Sequence, residues 1–255
     1  MHSRSTVPLL VSLLGLLALA ACTSDSHQPA TISLGLADSA LAGGSPQLAL
    51  HVSQAVLAQH PRDVAALLRQ GDAYYALGDG GRASASYAKA LEIAPNSIPA
   101  MLGQCRTALA EDPEQALRRL DRLLAIDPRN RAALTDRGIA LDLLGQHTEA
   151  QTDYRLVLAQ GGEVTAARVD LGLSLAMSND ATAAVQILQP IAAEPDASAR
   201  VRQDLAVALV MDGRTDEAQR VLLTQMSPDQ ARAAITAYQA LRDRPLTPQL
   251  LDHAT

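Results

Sequence analysis

Small residues recur along the chain at intervals of about 34 residues, and apolar residues surround them at helical spacing. Each interval holds two of them, about twelve residues apart. Two such residues within apolar stretches of helical period predict two antiparallel helices that approach each other closely. The pattern therefore predicts five helix pairs stacked side by side. In the five successive intervals the first small residue is in turn Gly71, Cys105, Gly138, Gly172 and Ala206. The second small residue is in turn Ala83, Ala116, Ala150, Ala184 and Ala218.

Residues 64–97 show the pattern most fully. Leu67, Gly71, Tyr74, Ala83, Tyr87, Ala90 and Pro95 occupy the fourth, eighth, eleventh, twentieth, twenty-fourth, twenty-seventh and thirty-second positions. This arrangement resembles the tetratricopeptide repeat (TPR). The resemblance implies an all-α, right-handed superhelical solenoid of about five helix hairpins. The residues expected to pack the repeats are Gly71, Tyr74, Ala83, Tyr87, Cys105, Ala116, Gly138, Ala150, Tyr154, Gly172, Ala184, Ala206 and Ala218.

The ends of the array carry helix signals of their own. Ser45 and Pro46 predict an N-cap and first helical residue of a half repeat that extends to His60. Ser227 and Pro228 predict a final helix to about Arg242, which would cap the last pair. We therefore assign residues 45–244 to the solenoid domain and residues 245–255 to a C-terminal tail.

The first 21 residues have the order of a secretory signal: a weakly basic start, an apolar run and small residues at the end. The sequence Leu19-Ala20-Ala21-Cys22 resembles the lipobox of bacterial lipoproteins. The resemblance implies a lipoprotein signal peptide over residues 1–21, cleaved before a lipid-bearing Cys22. An ordinary signal peptide with an incidental cysteine is the alternative. Residues 22–44 predict a flexible tether after the lipidated cysteine, with a helical turn from Leu36 to Leu41 as the alternative for its end. The lipoprotein resemblance also implies, from Thr23 after the cysteine, the outer membrane, facing the periplasm.

Composition and charge narrow the function. The chain has no Trp or Phe and only five Tyr, although 48% of its residues are hydrophobic. Ala, Leu and Val supply that apolar mass, which favours closely packed helices over a β-sandwich. The net charge is -6, and Lys89 is the only lysine. Without a basic cluster to neutralise phosphates, we expect no nucleic-acid partner.

The sequence contains no arrangement typical of catalysis. The histidines are isolated and lack metal-ligand spacing, and no serine lies in a nucleophile-elbow motif. We therefore expect a protein that is not an enzyme, with no cofactor, metal or small-molecule substrate. Cys105 occupies a position that requires a small residue, so we interpret it as a buried free thiol. A disulfide to another chain is the alternative.

In TPR stacks the first helix of each pair lines a concave groove, and we expect this groove to bind a partner protein. Its surface is mostly apolar with a few charges, which suits an amphipathic helix or an apolar segment. Alternatively, the terminal helix or a neighbouring turn folds into the groove and buries it. The predicted groove residues are Leu68, Asp72, Tyr75, Leu102, Arg106, Leu109, Thr135, Ile139, Asp142, Leu143, Val169, Leu173, Met177, Gln203, Val207, Val210 and Met211.

The later repeats carry a more specific likeness. Residues 171–176, 188–192 and 201–206 resemble the TadD-type lipoproteins of the tight-adherence (Flp) pilus system. The resemblance implies a periplasmic lipoprotein that supports secretin assembly or stability, and through it pilus secretion. A scaffold for peptidoglycan hydrolases or outer-membrane assembly factors is the second hypothesis. An envelope enzyme is the third, and the lack of a convergent polar cluster weighs against it.

Overall fold

A computed structural model describes residues 34–162 and 164–243, and the predictions for residues 1–21, Cys22 and residues 245–255 fall outside them. The described residues form thirteen α-helices and no strand. The helices are α1 (Leu34–Ala42), α2 (Pro46–Gln59), α3 (Val64–Ala76), α4 (Gly80–Ile93), α5 (Ile98–Leu109), α6 (Pro113–Ile126), α7 (Arg131–Leu143), α8 (His147–Ala159), α9 (Thr165–Met177), α10 (Ala181–Ala192), α11 (Ala199–Met211), α12 (Thr215–Leu222) and α13 (Pro228–Arg242).

The helices are stacked in pairs, which confirms the predicted all-α TPR superhelix. Each helix packs against the next along the chain, and the first helices of successive pairs also contact one another. Among the described helices, second helices of successive pairs show no comparable contact. The first helices therefore lie closer together and form the inner side of the superhelix. We number the pairs α3–α4 to α11–α12 as repeats 1 to 5.

The glycines among the recurring small residues each face a large side chain from the second helix. A Cβ atom on Gly71 would lie 2.5 Å from Cε1 of Tyr87, and one on Gly103 would also overlap that ring. Gly138 stands in the same relation to Tyr154, and Gly172 to Leu188. Because the second helix presses its largest residue against the first helix's backbone, only small residues fit there. The other members of the predicted small set are buried as well. Ala206 and Cys105, on first helices, are 0% and 1% exposed, and the alanines of the second helices are all 0% exposed: Ala83, Ala116, Ala150, Ala184 and Ala218.

The N-terminal boundary predicted for the solenoid was wrong. Helix α1, Leu34–Ala42, lies within residues 22–44 that we expected to form a tether, and it packs against α2 and α3. The expected half repeat is therefore a complete helix pair. Ala37 and Ala40 are buried in a core with Ala49, Val52 and Ala73. Their methyl groups give only a weak periodic signal, although they let the helix approach its neighbours closely.

The helix ends follow local sequence signals. At Ser227 the hydroxyl accepts a hydrogen bond from Gln230 N, and the Gln230 side chain accepts one from Ser227 N, so α13 begins in a capping box. Helix α13 packs on α11 and α12 as predicted, with Ala231 and Ile235 buried. Helix α10 continues for two residues beyond Pro190. Asn179 is the only non-glycine among the described residues with a positive φ, 65°.

Candidate protein-interaction groove

The first helices of the repeats place the predicted groove residues on the inner side of the superhelix. Most of them are half-buried, because one side of each packs on the core while the other remains accessible. Among these, Leu102, Leu109, Val169 and Met211 pack against the buried clusters. The half-buried set is Leu102, Leu109, Thr135, Ile139, Asp142, Leu143, Val169, Leu173, Met177, Gln203, Val207 and Met211.

Two predicted groove residues belong to the core instead. Val210 is 0% exposed and lies in the same cluster as Ala231 and Ile235 of α13. Leu68 is 9% exposed and packs with Leu67 and its neighbours. Val210 lies on α11, against which the capping helix α13 packs. The other predicted groove residues of α11, Gln203, Val207 and Met211, stay half-buried beside that helix.

The middle of the inner surface keeps an accessible apolar strip. We call Ile139, Leu143, Val169, Leu173 and Met177 the central groove, which lies on α7 and α9. All five side chains are half-buried, although they are apolar. Partial burial of several adjacent apolar side chains is typical of surfaces that receive a partner.

Toward the N-terminal end the inner surface is more exposed and more polar. Tyr75 is 48% exposed. Asp72 is exposed too, and its Oδ1 accepts a 2.7 Å hydrogen bond from the buried Tyr87 hydroxyl. Tyr74 is half-buried, and the Arg82 guanidinium lies 4.9 Å from its ring centroid. A partner would find fewer apolar contacts here than at the central groove.

Three aspartates that are not among the predicted site residues follow the helical repeat on the inner side. Asp136, Asp170 and Asp204 occupy the sixth position of repeats 3, 4 and 5, each two residues before the small residue of the eighth position. We call them the acidic row. The Asp-x-Gly and Asp-x-Ala spacing is visible in the sequence and could have revealed them, but it adds nothing to the apolar periodicity that defines the repeats.

Two members of the acidic row are paired. Arg106 Nε, on an exposed side chain, lies 3.0 Å from Asp136 Oδ2, and Arg200 Nε lies 3.2 Å from Asp204 Oδ1. Both aspartates are 6% exposed, so their carboxylates are held by these guanidinium groups near the protein surface. Burial raises the pKa of each carboxyl, and its arginine partner opposes that effect.

Asp170 differs from the other two. No described residue donates a hydrogen bond or forms an ion pair to its carboxyl group, although the side chain is half-buried. Burial, followed by the nearby carboxylates of Asp142 and Asp204, raises its pKa to about 6, while Arg200 opposes the shift. The inner surface therefore carries, beside the central groove, an acid that no described residue pairs.

A second polar cluster joins repeats 3 and 4. Asp142 accepts hydrogen bonds from the hydroxyls of Ser174, at 2.7 Å, and Tyr154, at 2.9 Å. The His147 Nδ1 atom lies 2.8 Å from Asp142 Oδ1. Burial raises the pKa of Asp142, and its three partners counteract that rise. Because Ser174 donates to the carboxylate rather than to the imidazole, the cluster holds the helices in register and forms no serine–histidine relay.

Cys105 is buried, as predicted, and burial raises the pKa of its thiol to about 11. Within the described residues no group of His, Cys, Asp or Glu could hold a metal ion. None of the helices described here has the length and apolar character needed to cross a bilayer. The predicted lipid attachment at Cys22 lies outside the described residues.

Comparisons with known proteins support the repeat assignment. The tetratricopeptide-repeat family model matches residues 34–98 and 110–163. The chain therefore carries tetratricopeptide repeats, and its fold is one used for protein–protein interaction. A comparison with curated proteins finds no match.

Solved structures show the same fold at low sequence identity. A TPR protein from Parabacteroides merdae is 19% identical over 82% of this chain and 87% of its own, with a TM-score of 0.63. PilW, described as a widely conserved type IV pilus biogenesis factor, is 18% identical over 78% of this chain and 96% of its own, with a TM-score of 0.69. YrrB, a TPR protein with an unusual peptide-binding site, is 16% identical over 74% and 98%, with a TM-score of 0.52.

Proposed function

We propose that the protein is a lipid-anchored scaffold of the bacterial envelope that uses its inner groove to bind a component of a Tad/Flp pilus machine. The observation that carries the proposal is the central groove, in which five apolar side chains stay half-accessible on two adjacent first helices. Apolar grooves of this kind suit an amphipathic helix or an apolar segment of another protein.

The pilus assignment is supported by two resemblances of unequal kind. Residues 171–176, 188–192 and 201–206 resemble the TadD-type lipoproteins in sequence. PilW, a type IV pilus biogenesis factor, shares the fold over most of both chains, although the identity is only 18%. We therefore propose secretin assembly or stability as the process that the scaffold supports.

The proposed location follows from the lipobox resemblance at Cys22. Two or more acyl chains are enough for stable attachment to a membrane, and Thr23 favours the outer membrane. Anchoring would keep the groove at the membrane in which a secretin is built. Replacement of Cys22 by Ser should release the protein from the membrane fraction and reduce pilus assembly, even though the repeats remain folded.

A groove variant with a matched control tests the proposal. Leu173→Asp places a charge in the central groove, whereas Leu156→Asp places one on α8 at a side chain that is 49% exposed. We expect both variants to keep the helical circular dichroism spectrum of the wild type. In a strain that lacks the gene, Leu156→Asp should restore secretin multimers and surface pili, and Leu173→Asp should not.

The outcomes separate the hypotheses. Unchanged secretin multimers and pili in the deletion strain would remove the pilus role and favour a scaffold for cell-wall or outer-membrane assembly factors. If Leu173→Asp unfolds the protein while Leu156→Asp does not, Leu173 belongs to the core and the groove is not an open surface. Full complementation by a folded Leu173→Asp protein would place partner binding elsewhere.

A further inference from the structure

The inner surface of repeats 3 to 5 combines an apolar strip with an excess of negative charge. Four carboxylates face this region: Asp142 and the three of the acidic row. Arg106 and Arg200 are already paired with Asp136 and Asp204, and His147 contacts Asp142. A partner segment with acidic residues would be repelled here, and one with basic residues would be attracted.

Among the described residues, the cation that competes for Asp170 is Arg200, and this arginine is already paired with Asp204. In the sequence, Asp170 directly follows Val169 and precedes Leu173 by three residues. Both of these apolar residues belong to the central groove. Among the described residues, none forms an ion pair or hydrogen bond with it. A guanidinium or ammonium group brought by a partner would replace the water around this carboxylate with a charge-assisted hydrogen bond.

We infer that the groove selects a short apolar partner segment that carries an arginine or lysine, whose cationic group pairs with Asp170 while its apolar neighbours cover Val169, Leu173 and Met177. This inference rests on the proposed function, because it names the chemistry of the segment that the groove binds. Charge complementarity is the argument for this occupant. The carboxylates of Asp142 and Asp204 would add attraction, and Arg200 would reduce it.

Peptide selection on the mature chain tests the inference, because it requires no identified partner. A displayed library of random twelve-residue peptides is selected on the wild type, on Asp170→Asn and on Asp196→Asn. The last variant removes the same charge from an exposed position outside the helices. We expect arginine and lysine to be enriched severalfold in apolar peptides selected on the wild type and Asp196→Asn, but not on Asp170→Asn.

The selected peptides then give a direct affinity comparison. Replacement of the enriched arginine by citrulline, its neutral near-isostere, should weaken binding to the wild type about tenfold. The same replacement should change binding to Asp170→Asn by less than about twofold. Equal losses on both proteins, or equal enrichment of basic residues on Asp170→Asn, would overturn the inference, as would a failure to enrich any peptide.

A third variant distinguishes failure of the inference about a basic residue from failure of the proposed groove function. Leu173→Asp should lose the peptides selected on the wild type, whatever their charge, if the groove is the binding surface. Peptides that depend on Leu173 but not on Asp170 would leave the groove as the site and remove only the basic contact. Peptides that bind Leu173→Asp as well as the wild type would contradict the groove itself.

Discussion

Repeats 3 and 4 share a backbone arrangement but differ in the side chains that lie between their two helices. In repeat 3 the second helix contributes Tyr154 and Asp153 to the interface, and the Asp153 carboxylate forms a bidentate ion pair with Arg137. In repeat 4 the corresponding interface is apolar and includes Leu171 and Leu188. The small residue on the first helix is required in both repeats because the helices approach closely. The residues around it are free to be polar or apolar, provided that each polar group has a partner.

The largest effect should come from breaking the ion pair in repeat 3. Arg137 lies 2.7 Å from both Asp153 oxygens and 3.0 Å from Asp121, and the Asp153 side chain is only 2% exposed. Arg137→Leu leaves a buried carboxylate without a partner, so we expect a loss of about 3 to 5 kcal/mol in the free energy of unfolding. Urea denaturation followed by circular dichroism measures it.

A double variant sharpens the comparison. Arg137→Leu with Asp153→Ile transfers the apolar pair that repeat 4 has at Leu171 and Ile187. Because apolar residues can replace a buried ion pair at little cost, most of the stability should return. A double variant as unstable as the single one would show that repeat 3 cannot accept the chemistry of repeat 4.

The acidic row predicts a pH dependence that also differs between the two repeats. Asp170 has a pKa raised to about 6, above the ordinary value of 3.8, so the folded chain keeps this proton when the unfolded chain has lost it. Its contribution to stability is therefore greatest below about pH 4 and is lost as the pH rises to about 6. Asp170→Asn should raise the free energy of unfolding at pH 7 by about 1 to 3 kcal/mol. At about pH 3.5 it should leave it almost unchanged.

Asp136 provides the matched comparison. Its carboxylate pairs with Arg106, so Asp136→Asn removes an ion pair together with the buried charge. We expect a smaller gain at neutral pH, or a loss. Denaturation of both variants between about pH 3.5 and pH 7 measures the difference. Equal gains would show that Asp170 is not the uncompensated member of the row.

The close approach of the helices should be less tolerant in repeat 3 than in repeat 4. A Cβ on Gly138 would lie 2.5 Å from Cε1 of Tyr154, a rigid ring whose hydroxyl is held by Asp142. A Cβ on Gly172 would lie 2.7 Å from Cγ of Leu188, which can change rotamer. We expect a loss of about 2 kcal/mol for Gly138→Ala and about 1 kcal/mol for Gly172→Ala.

The control for this comparison is Gly80→Ala. A Cβ at that position would meet nothing within 4 Å, and the residue begins helix α4. Thermal denaturation should show no loss for this variant, because alanine favours the helix. Equal losses of stability for Gly138→Ala and Gly172→Ala would mean that the Tyr154 ring and the Leu188 side chain move aside equally easily for the added methyl group.

The period of the small residues was enough to predict the fold, because the close approach of two helices requires a small residue at the same position in every repeat. The capping helix was predicted by Ser227 and Pro228 for the same kind of local reason. Helix α1 was missed because its buried residues, Ala37 and Ala40, have little hydrophobic contrast with their neighbours. The burial of Val210 was missed because it depends on the tertiary packing of α11 in the last repeat, which the local sequence does not reveal.

The smallest effects concern the two buried tyrosine hydroxyls, which separate repeat 3 from repeat 1. Tyr154 donates a hydrogen bond to Asp142, which is partly buried and also binds Ser174, whereas Tyr87 donates to Asp72, which is exposed. Tyr154→Phe leaves a partly buried carboxylate oxygen without its donor, so we expect a loss of about 1 kcal/mol. Tyr87→Phe should cost less than half as much, because water can reach the freed oxygen of Asp72. Chemical denaturation of both variants at neutral pH measures the two losses in the free energy of unfolding. Equal losses would mean that the hydrogen bond to Asp142 stabilises the fold no more than the one to Asp72.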